Sequence, residues 1–410
     1  MKIIHLTYAD SGGANNAVHR IHHALRNKNV DSQMWVNSSN LEDATVMPVS
    51  KMDNLFNNFR CHLIKNTIVK TLKTENKIIH SPSILPSKWV KRIEESNADI
   101  IHLHWVQNEM LSIKDISIIS KPIVWTLHDM WAFCGAEHYT NDSRWRKGYS
   151  YNNRPNYEKG FDLNLWTWQR KIKFWKKPLT IITPSRWLSN CVKESKLMHN
   201  WPVTTIHNPI DVYYWKPMNK KNARKYFNFS QDASLILFGA MGGGNDPRKG
   251  FDLLLQSLKK LKNTSKNKNI ELVVFGQKKK KSHSHIELPI HFIGHLSNYK
   301  HLQAAYSAAD VMVVPSRQDN FPSTAVEAQA CGTPVVSFNV GGLSDIIEHK
   351  KTGYLAKQFD INDFANGINW VLDNQKVKQL YNNSRKRAVE NFSANKISDS
   401  YINIYKKLLT

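Results

Sequence analysis

Short runs rich in Ile and Val, apolar at consecutive positions, recur along this chain between amphipathic stretches. That alternation restricts the fold more than any other feature. In the first half the runs are Lys2–Thr7, Ile100–His104, Ile123–Leu127 and Thr180–Thr183. In the second half they are Leu235–Phe238, Glu271–Phe275, Val311–Val314 and Val335–Phe338. A strand apolar on successive residues is buried on both faces, which is the condition of a parallel sheet. Helical patterns lie between the runs, at Ala17–Arg26, Phe251–Leu261, Asn298–Ala308 and Ile361–Asp373. Alternating β and α segments predict doubly wound α/β layers.

Domains usually hold roughly 100–200 residues, so a chain of 410 residues predicts two. A polar, basic stretch at Lys216–Asn228 follows Asn208-Pro209-Ile210-Asp211 and precedes a fresh strand. The boundaries are therefore set at residues 1–208 and 209–390. Residues 391–410 are read as a final helix, with apolar positions at Ile397, Tyr401, Ile404 and Leu408, crossing back to the first domain. The segment Asn54–Trp89 is basic with scattered apolar positions and reads as an amphipathic excursion, either buried on its domain or facing a membrane.

The formal charge of +24 favours anionic partners. One dense run, Lys278-Lys279-Lys280-Lys281, also suits a solvated loop. No apolar run reaches the roughly 18 residues needed to span a bilayer. The N-terminus lacks the long apolar core of a signal peptide. Cys61, Cys134, Cys191 and Cys331 form no C-x-x-C pair, so neither a cysteine zinc site nor a disulfide framework is expected. A nucleic-acid-binding protein would group basic and aromatic residues in a recognisable module; the thirteen Trp are scattered, and no nucleic acid is expected as partner.

Two segments carry the chemistry. Ser316-Arg-Gln-Asp-Asn-Phe-Pro-Ser-Thr-Ala-Val-Glu-Ala-Gln-Ala-Cys-Gly-Thr-Pro334 follows a buried strand. Pro322, Ser323 and Thr324 mark a helix start, and Gly332 with Pro334 marks its end. In open α/β sheets, ligands bind where loops leave the carboxyl ends of strands. A helix start there presents N–H groups to phosphate. Asp319 in the loop and Glu327 in the helix could accept hydroxyls of one ligand. Thr324-Ala-Val-Glu327 also fits a capping box, and Asp319 also fits a turn. The second segment is Gly239-Ala-Met-Gly-Gly-Gly-Asn-Asp-Pro-Arg-Lys-Gly250. It brings Arg248 and Lys249 to the same sheet edge, where cations would neutralise a departing diphosphate, although glycines of this pattern also suit a flexible turn.

Together these segments resemble the family 4 retaining glycosyltransferases of the GT-B fold. That family has two glutamates separated by seven residues, followed by Ala-x-Ala-x-Gly-x-Pro. Here Asp319 and Glu327 keep the spacing and Ala328-Gln-Ala-Cys-Gly-Thr-Pro334 keeps the tail, with Asp in the first position. Arg248-Lys249-Gly250 resembles the family's basic diphosphate motif; Ala240 stands where an Arg is common. Phe292-Ile-Gly-His-Leu-Ser297, containing His295 and Leu296, is similar to the loop framing the base, and Asn339–Ile347 resembles the Gly-Gly-x-Pro-Glu loop. In the first half, Asp99-Ile-Ile-His-Leu-His-Trp-Val106 and Pro122-Ile-Val-Trp-Thr-Leu-His-Asp-Met-Trp131 resemble a bacterial subgroup that builds capsule, exopolysaccharide and O-antigen chains.

The resemblance implies a GT-B architecture, two Rossmann-like doubly wound domains facing across a cleft. It implies donor contacts from Gly12, Gly13, Glu327, Asn320, Phe321, Pro322, Ser323, His295 and Leu296. Catalytic roles fall to His128, Asp319, Arg248 and Lys249. Asp129 and His104 are acceptor-side candidates, although His102 and His104 also suit simple packing. The implied reaction is retaining transfer of a sugar from a nucleotide-diphosphate sugar to a glycan, on a lipid carrier, at the inner face of the cytoplasmic membrane. No cofactor or metal is expected, since no Asp-x-Asp clamp is suitably placed. The competing readings are a catalytically silent GT-B scaffold and a basic nucleic-acid-binding protein.

Overall fold

The protein's structure, a computed structural model, describes residues 1–10, 12–39, 42–239, 246–265, 269–277, 288–296, 298–373 and 377–410. Ala240, the glycines at 242–244, the lysine run 278–281 and Ser297 lie outside the described residues. The chain divides into two compact units, Met1–Ile206 with Ser398–Thr410, and His207–Ile397.

In the first unit the strands are β1 (Lys2–Leu6), β2 (Asp31–Val36), β3 (Val46–Pro48), β4 (Leu72–Thr74), β5 (Ile100–Leu103), β6 (Ile123–Thr126), β7 (Glu158–Gly160), β8 (Thr180–Thr183) and β9 (Val203–Thr205). Seven form one parallel sheet in the order β3-β2-β1-β5-β6-β8-β9, while β4 and β7 pair antiparallel apart from it. The second unit holds β10 (Ser234–Gly239), β11 (Ile270–Phe275), β12 (Ile290–Gly294), β13 (Val311–Val314), β14 (Val335–Phe338) and β15 (Gly353–Ala356). These form a parallel sheet in the order β12-β11-β10-β13-β14-β15. Both sheets are doubly wound, and each reverses its strand order once, between β1 and β5 and between β10 and β13.

The strands expected from consecutive apolar residues are the ones nearest each sheet's middle. β5, β6, β13 and β14 are buried at every position. Of the strands that carried no such signal, β3, β9, β12 and β15 lie at the sheet margins, where polar residues are tolerated, as in Val-Thr-Thr of β9, while β2 lies between β1 and β3. The last helix, Ala394–Leu409, brings Tyr401 and Tyr405 into the first unit, where they are fully buried. The Tyr405 hydroxyl meets His102 Nδ1 at 2.6 Å, and that of Tyr401 meets Thr126 Oγ1 at 3.4 Å.

The excursion after β3 opens with a helix, Lys51–Asn66, capped by the Ser50 side chain. Arg60 and Ile64 are its buried residues. Met52, Leu55, Phe56, Phe59 and Leu63 are 42–82% exposed, at spacings that line up along one helical face. All four cysteine thiols are free.

Around the turn 131–138 the first unit buries polar groups. Lys171 Nζ donates to the carbonyls of Trp131, Cys134 (3.0 Å) and Gly135 (2.7 Å), so an otherwise costly cation ties down a loop that forms no ladder. Arg144 pairs with Asp162 at 2.7 Å and Glu158 at 3.2 Å. Glu137, fully buried, accepts the Tyr149 hydroxyl, and burial pushes its carboxyl from 4.5 up to about 7. A carboxyl with a raised folded-state value holds extra protons in the folded state, so its stabilising contribution is present below about 4.5 and is lost as pH rises toward 7. Glu137→Gln should therefore be more stable than the parent above pH 7, by up to about 3 kcal/mol, the gap closing toward pH 5. Denaturant titrations of both proteins across that range measure it; a pH-independent gap would contradict the assignment.

Candidate active site

In a doubly wound sheet, the loops leaving the two strands at the reversal diverge to opposite faces and leave a crevice at the carboxyl edge. In the second unit those loops follow β10 and β13. Two glycines let them approach neighbouring backbone. Gly250 has φ 63°, and a β-carbon there would stand 1.9 Å from the Pro315 carbonyl oxygen. Gly341, with φ 55°, would bring a β-carbon within 2.0 Å of the Asp319 carbonyl oxygen. Gly342 N donates to that same oxygen at 3.0 Å, and Arg317 N donates to the Arg248 carbonyl at 2.7 Å. Three loops are thus stitched together by main chain, and only residues without a β-carbon fit at the two closest points.

Lys249 and Asp319, 70 positions apart, meet there at 2.7 Å, with Ser316 Oγ 3.3 Å from the same carboxylate oxygen. Both side chains are largely shielded from solvent, at 24% and 12% exposure, so this ion pair is stronger than one on an open surface. Arg248 is held differently. Its guanidinium forks onto both oxygens of Asp246, at 3.2 and 2.7 Å, within its own turn. Asp246 also caps that turn through Arg248 N.

The helix after β13 spans Ser323–Ala330, with Pro322 at its cap and no side-chain capping bond, so the capping-box alternative for Glu327 does not form. Glu327 instead accepts the buried Tyr306 hydroxyl at 2.8 Å. Asn320 and Phe321 are buried. The Phe321 ring stacks on His207 with centroids 5.1 Å apart and packs edge-on to Phe392. His295 and Leu296 follow the end of β12, His295 exposed and Leu296 half-buried.

In the first unit the reversal falls between β1 and β5. Gly12, with φ 104°, caps the helix Gly13–Arg26 that follows β1, and a β-carbon on Gly13 would meet nothing within 4 Å among the described residues. His104 follows β5; His128 and Asp129 follow β6. Histidines on neighbouring strands form a continuous line. His5 Nδ1 is 3.0 Å from His104 Nε2, and His104 Nδ1 is 3.2 Å from His128 Nε2. His102 sits beside this line, bonded to Tyr405 and to Thr126 Oγ1 at 2.8 Å.

Burial holds His5, His102 and His104 well below the usual imidazole value and lowers His128 to about 4 despite Asp129, so the line is neutral at pH 7. A neutral imidazole has one N–H, so the line must have a direction. His5 Nε2 is buried with no hydrogen-bond partner among the described residues. Buried orphan N–H groups are rarer than under-used acceptors, so His5 Nε2 is the bare nitrogen. His5 then donates to His104, and His104 donates to His128 Nε2, leaving the His128 proton on Nδ1.

Asp129 hydrogen-bonds His138 rather than His128. Its carboxylate takes His138 Nδ1 at 2.6 Å, Trp105 Nε1 at 3.0 Å and Trp131 N at 3.0 Å. Burial pushes that carboxyl up, yet His138 and the N–H donors outweigh it and hold the group below its ordinary value. His138 in turn meets Ser81 Oγ at 2.9 Å. His5, His138, Asp246 and Tyr306 were not among the residues expected from sequence. For His5 the signal was present, since it alternates into the same layer as His102; for the others nothing local gave it. Nitrogen-15 NMR of histidine-labelled protein should find His128 neutral, protonated on Nδ1, from pH 7.5 down to about pH 5. A proton on Nε2 in the parent would reverse the direction of the line.

Comparison with known proteins fits this geometry. The family model for glycosyl transferases group 1 matches residues 225–390, and that for Glycosyltransferase Family 4 matches residues 11–213. A D-inositol 3-phosphate glycosyltransferase of Saccharomonospora viridis is 27% identical over 220 residues, 50% of each chain. An uncharacterized glycosyltransferase of Methanocaldococcus jannaschii is 30% identical over 195 residues, 46% of this chain and 48% of its own. The chain thus spans about half the length of the curated relatives it matches. Among solved structures, a sucrose-phosphate synthase from Thermosynechococcus elongatus superposes with TM-score 0.71 at 16% identity, covering 100% of this chain and 99% of the other. Anabaena HepE in complex with UDP superposes with TM-score 0.64 at 16% identity, over 99% and 100%. At that identity these two likenesses speak for the fold alone.

Proposed function

The chain belongs to the glycosyltransferases that these two family models describe, and from that premise we propose that it transfers a sugar, with retention, from a nucleotide-diphosphate sugar to a glycan acceptor. The observation that carries the reading is the shielded Lys249–Asp319 pair at the reversal of the second sheet, beside a helix start. In this reaction the bond from the anomeric carbon to a phosphate oxygen breaks. Positive charge grows on the sugar and negative charge on the departing diphosphate.

Lys249, Arg248 and the N–H groups near Ser323 answer the second charge, and charge stabilised only in the transition state is what lowers the barrier. Asp319 contacts the donor sugar and Glu327 the ribose, with Asn320, Phe321, Pro322, His295 and Leu296 completing the donor side. For Lys249 to reach a phosphate it has to loosen its hold on Asp319, which frees that carboxylate for sugar hydroxyls. By the family resemblance, Gly12 and Gly13 are assigned as donor contacts and His128 as a contact of the transferred sugar. With His104 donating to its Nε2, His128 keeps Nδ1–H as a donor. His104 is thereby a positioning residue. The carboxylate of Asp129 already accepts from three donors, which favours a part in holding the loop 129–138 over direct acceptor contact.

The acceptor is a growing surface glycan on a lipid carrier, and the enzyme works peripherally at the inner leaflet. The net charge of +24 and the apolar face of the helix Lys51–Asn66 support this. No helix among the described residues is long and apolar enough to cross a membrane.

Donor hydrolysis without acceptor, screened over UDP-, GDP- and other nucleotide sugars, should reveal one preferred donor. Asp319→Ala and Glu327→Ala should each lower turnover of that donor by about 10²-fold. No hydrolysis of any donor by the parent would point to a silent scaffold, and unchanged turnover in both variants would remove Asp319 and Glu327 from the catalytic machinery. Phe56→Glu with Phe59→Glu should weaken co-sedimentation with anionic vesicles while leaving hydrolysis intact. Binding indifferent to acidic lipid, salt and these substitutions would remove the membrane from the proposal.

A further inference from the structure

The helix Gly13–Arg26 carries His19 and His23 one turn apart, on one face. Their Nε2 atoms are 3.0 Å from each other. Asp43, in the turn before β3, stands with Oδ2 3.5 Å from His23 Nε2. One ligand atom from each of the three lies within 4.8 Å of the other two. We propose that His19, His23 and Asp43 form a binding site for a divalent cation of the zinc type, separate from the sugar-transfer machinery.

The two Nε2 atoms are in hydrogen-bond contact, and the same separations also suit a shared ion. Ligands at about 2.0–2.2 Å from a tetrahedral zinc stand about 3.3 Å apart, and the 3.0 and 3.5 Å separations bracket that value. An N–H···O hydrogen bond is about 2.7–3.2 Å, so His23 and Asp43 face each other without one. Two imidazoles and a carboxylate are the donor set of open zinc sites, in which water completes the shell.

The carboxylate is aimed from behind. Asp43 Oδ1 accepts Thr45 N at 2.8 Å and Thr45 Oγ1 at 2.6 Å, which turns Oδ2 toward the histidines. Thr45 Oγ1 is in contact with His22 Nε2 at 2.8 Å, and His22 Nδ1 with Ser32 Oγ at 2.7 Å. His22 is fully buried, so this supporting chain is anchored in the first unit. Such outer contacts fix the direction of metal-binding side chains. All three proposed ligands are half-exposed, so an ion has a path from solvent. Asp43 and Asp10 both act on His19 as negative charges.

Sequence gives only half of this site. His19-x-x-x-His23 is visible as helical spacing, but Asp43 arrives from beyond β2. Absence of a cysteine pair argues against a structural zinc knuckle and leaves an imidazole–carboxylate site open.

Equilibrium dialysis of the untagged full chain against micromolar Zn2+, with metal counted by mass spectrometry, tests the proposal. The parent should retain one Zn2+ per chain, and His19→Ala, His23→Ala and Asp43→Asn should each lose it. Co2+ in place of zinc should give visible absorption of low-coordinate type in the parent, absent in the three variants. Circular dichroism matching the parent separates ligand loss from unfolding. No zinc retained by the parent, or zinc kept by folded His19→Ala and His23→Ala, would overturn the site. None of these readouts depends on sugar transfer.

Discussion

A parallel sheet whose strand order reverses cannot close its carboxyl edge, because the loops on either side of the reversal leave toward opposite faces. Everything chemical in the second unit depends on that gap and on how tightly its borders are drawn. Gly250 against Pro315 and Gly341 against Asp319 are contacts of backbone with backbone, so the positions of Lys249 and Asp319 are inherited from main chain rather than from flexible side chains. The ion pair between them is then a consequence of the strand order. The two residues are far apart in sequence and adjacent because β10 and β13 are neighbours.

The first unit solves a different problem at the equivalent place. Its edge is lined by imidazoles on adjacent strands, buried where a charged ring would be costly. Holding them neutral requires that the buried N–H groups find acceptors, and along the line from His5 to His128 those of His5 and His104 do, with one bare nitrogen at the inner end. Buried neutral networks of this type hold their members in one orientation, because any alternative strands an N–H. The tyrosines of the final helix serve the neighbouring histidine, so residues from the far end of the chain help to fix this edge.

Much of the architecture was legible before any coordinates. The eight strands anticipated from consecutive Ile and Val are all strands, each within one residue of its expected end, and the helices at residues 251, 299 and 361 begin where the pattern placed them to within a residue. Marginal strands such as β9 and β15 escaped notice because one open face relaxes the demand for apolar residues. The acids at 319 and 327 and the cations at 248 and 249 were legible as a pattern of charge at loop–helix junctions. Their partners were not: Arg248 turns to Asp246, Glu327 meets Tyr306, and Asp129 faces His138.

The division follows the range over which each kind of information acts. Periodicity, caps and breakers act within one element, so the sequence by itself determined the two α/β units, their inner strands and the location of the charged loops. Pairings between elements depend on crossovers that bring distant strand ends side by side, and only the tertiary structure decided them. Asp43 opposite a helical histidine pair, Tyr405 on His102 and Lys249 on Asp319 all belong to that class, since nothing in a local window of sequence encodes the neighbour across a sheet.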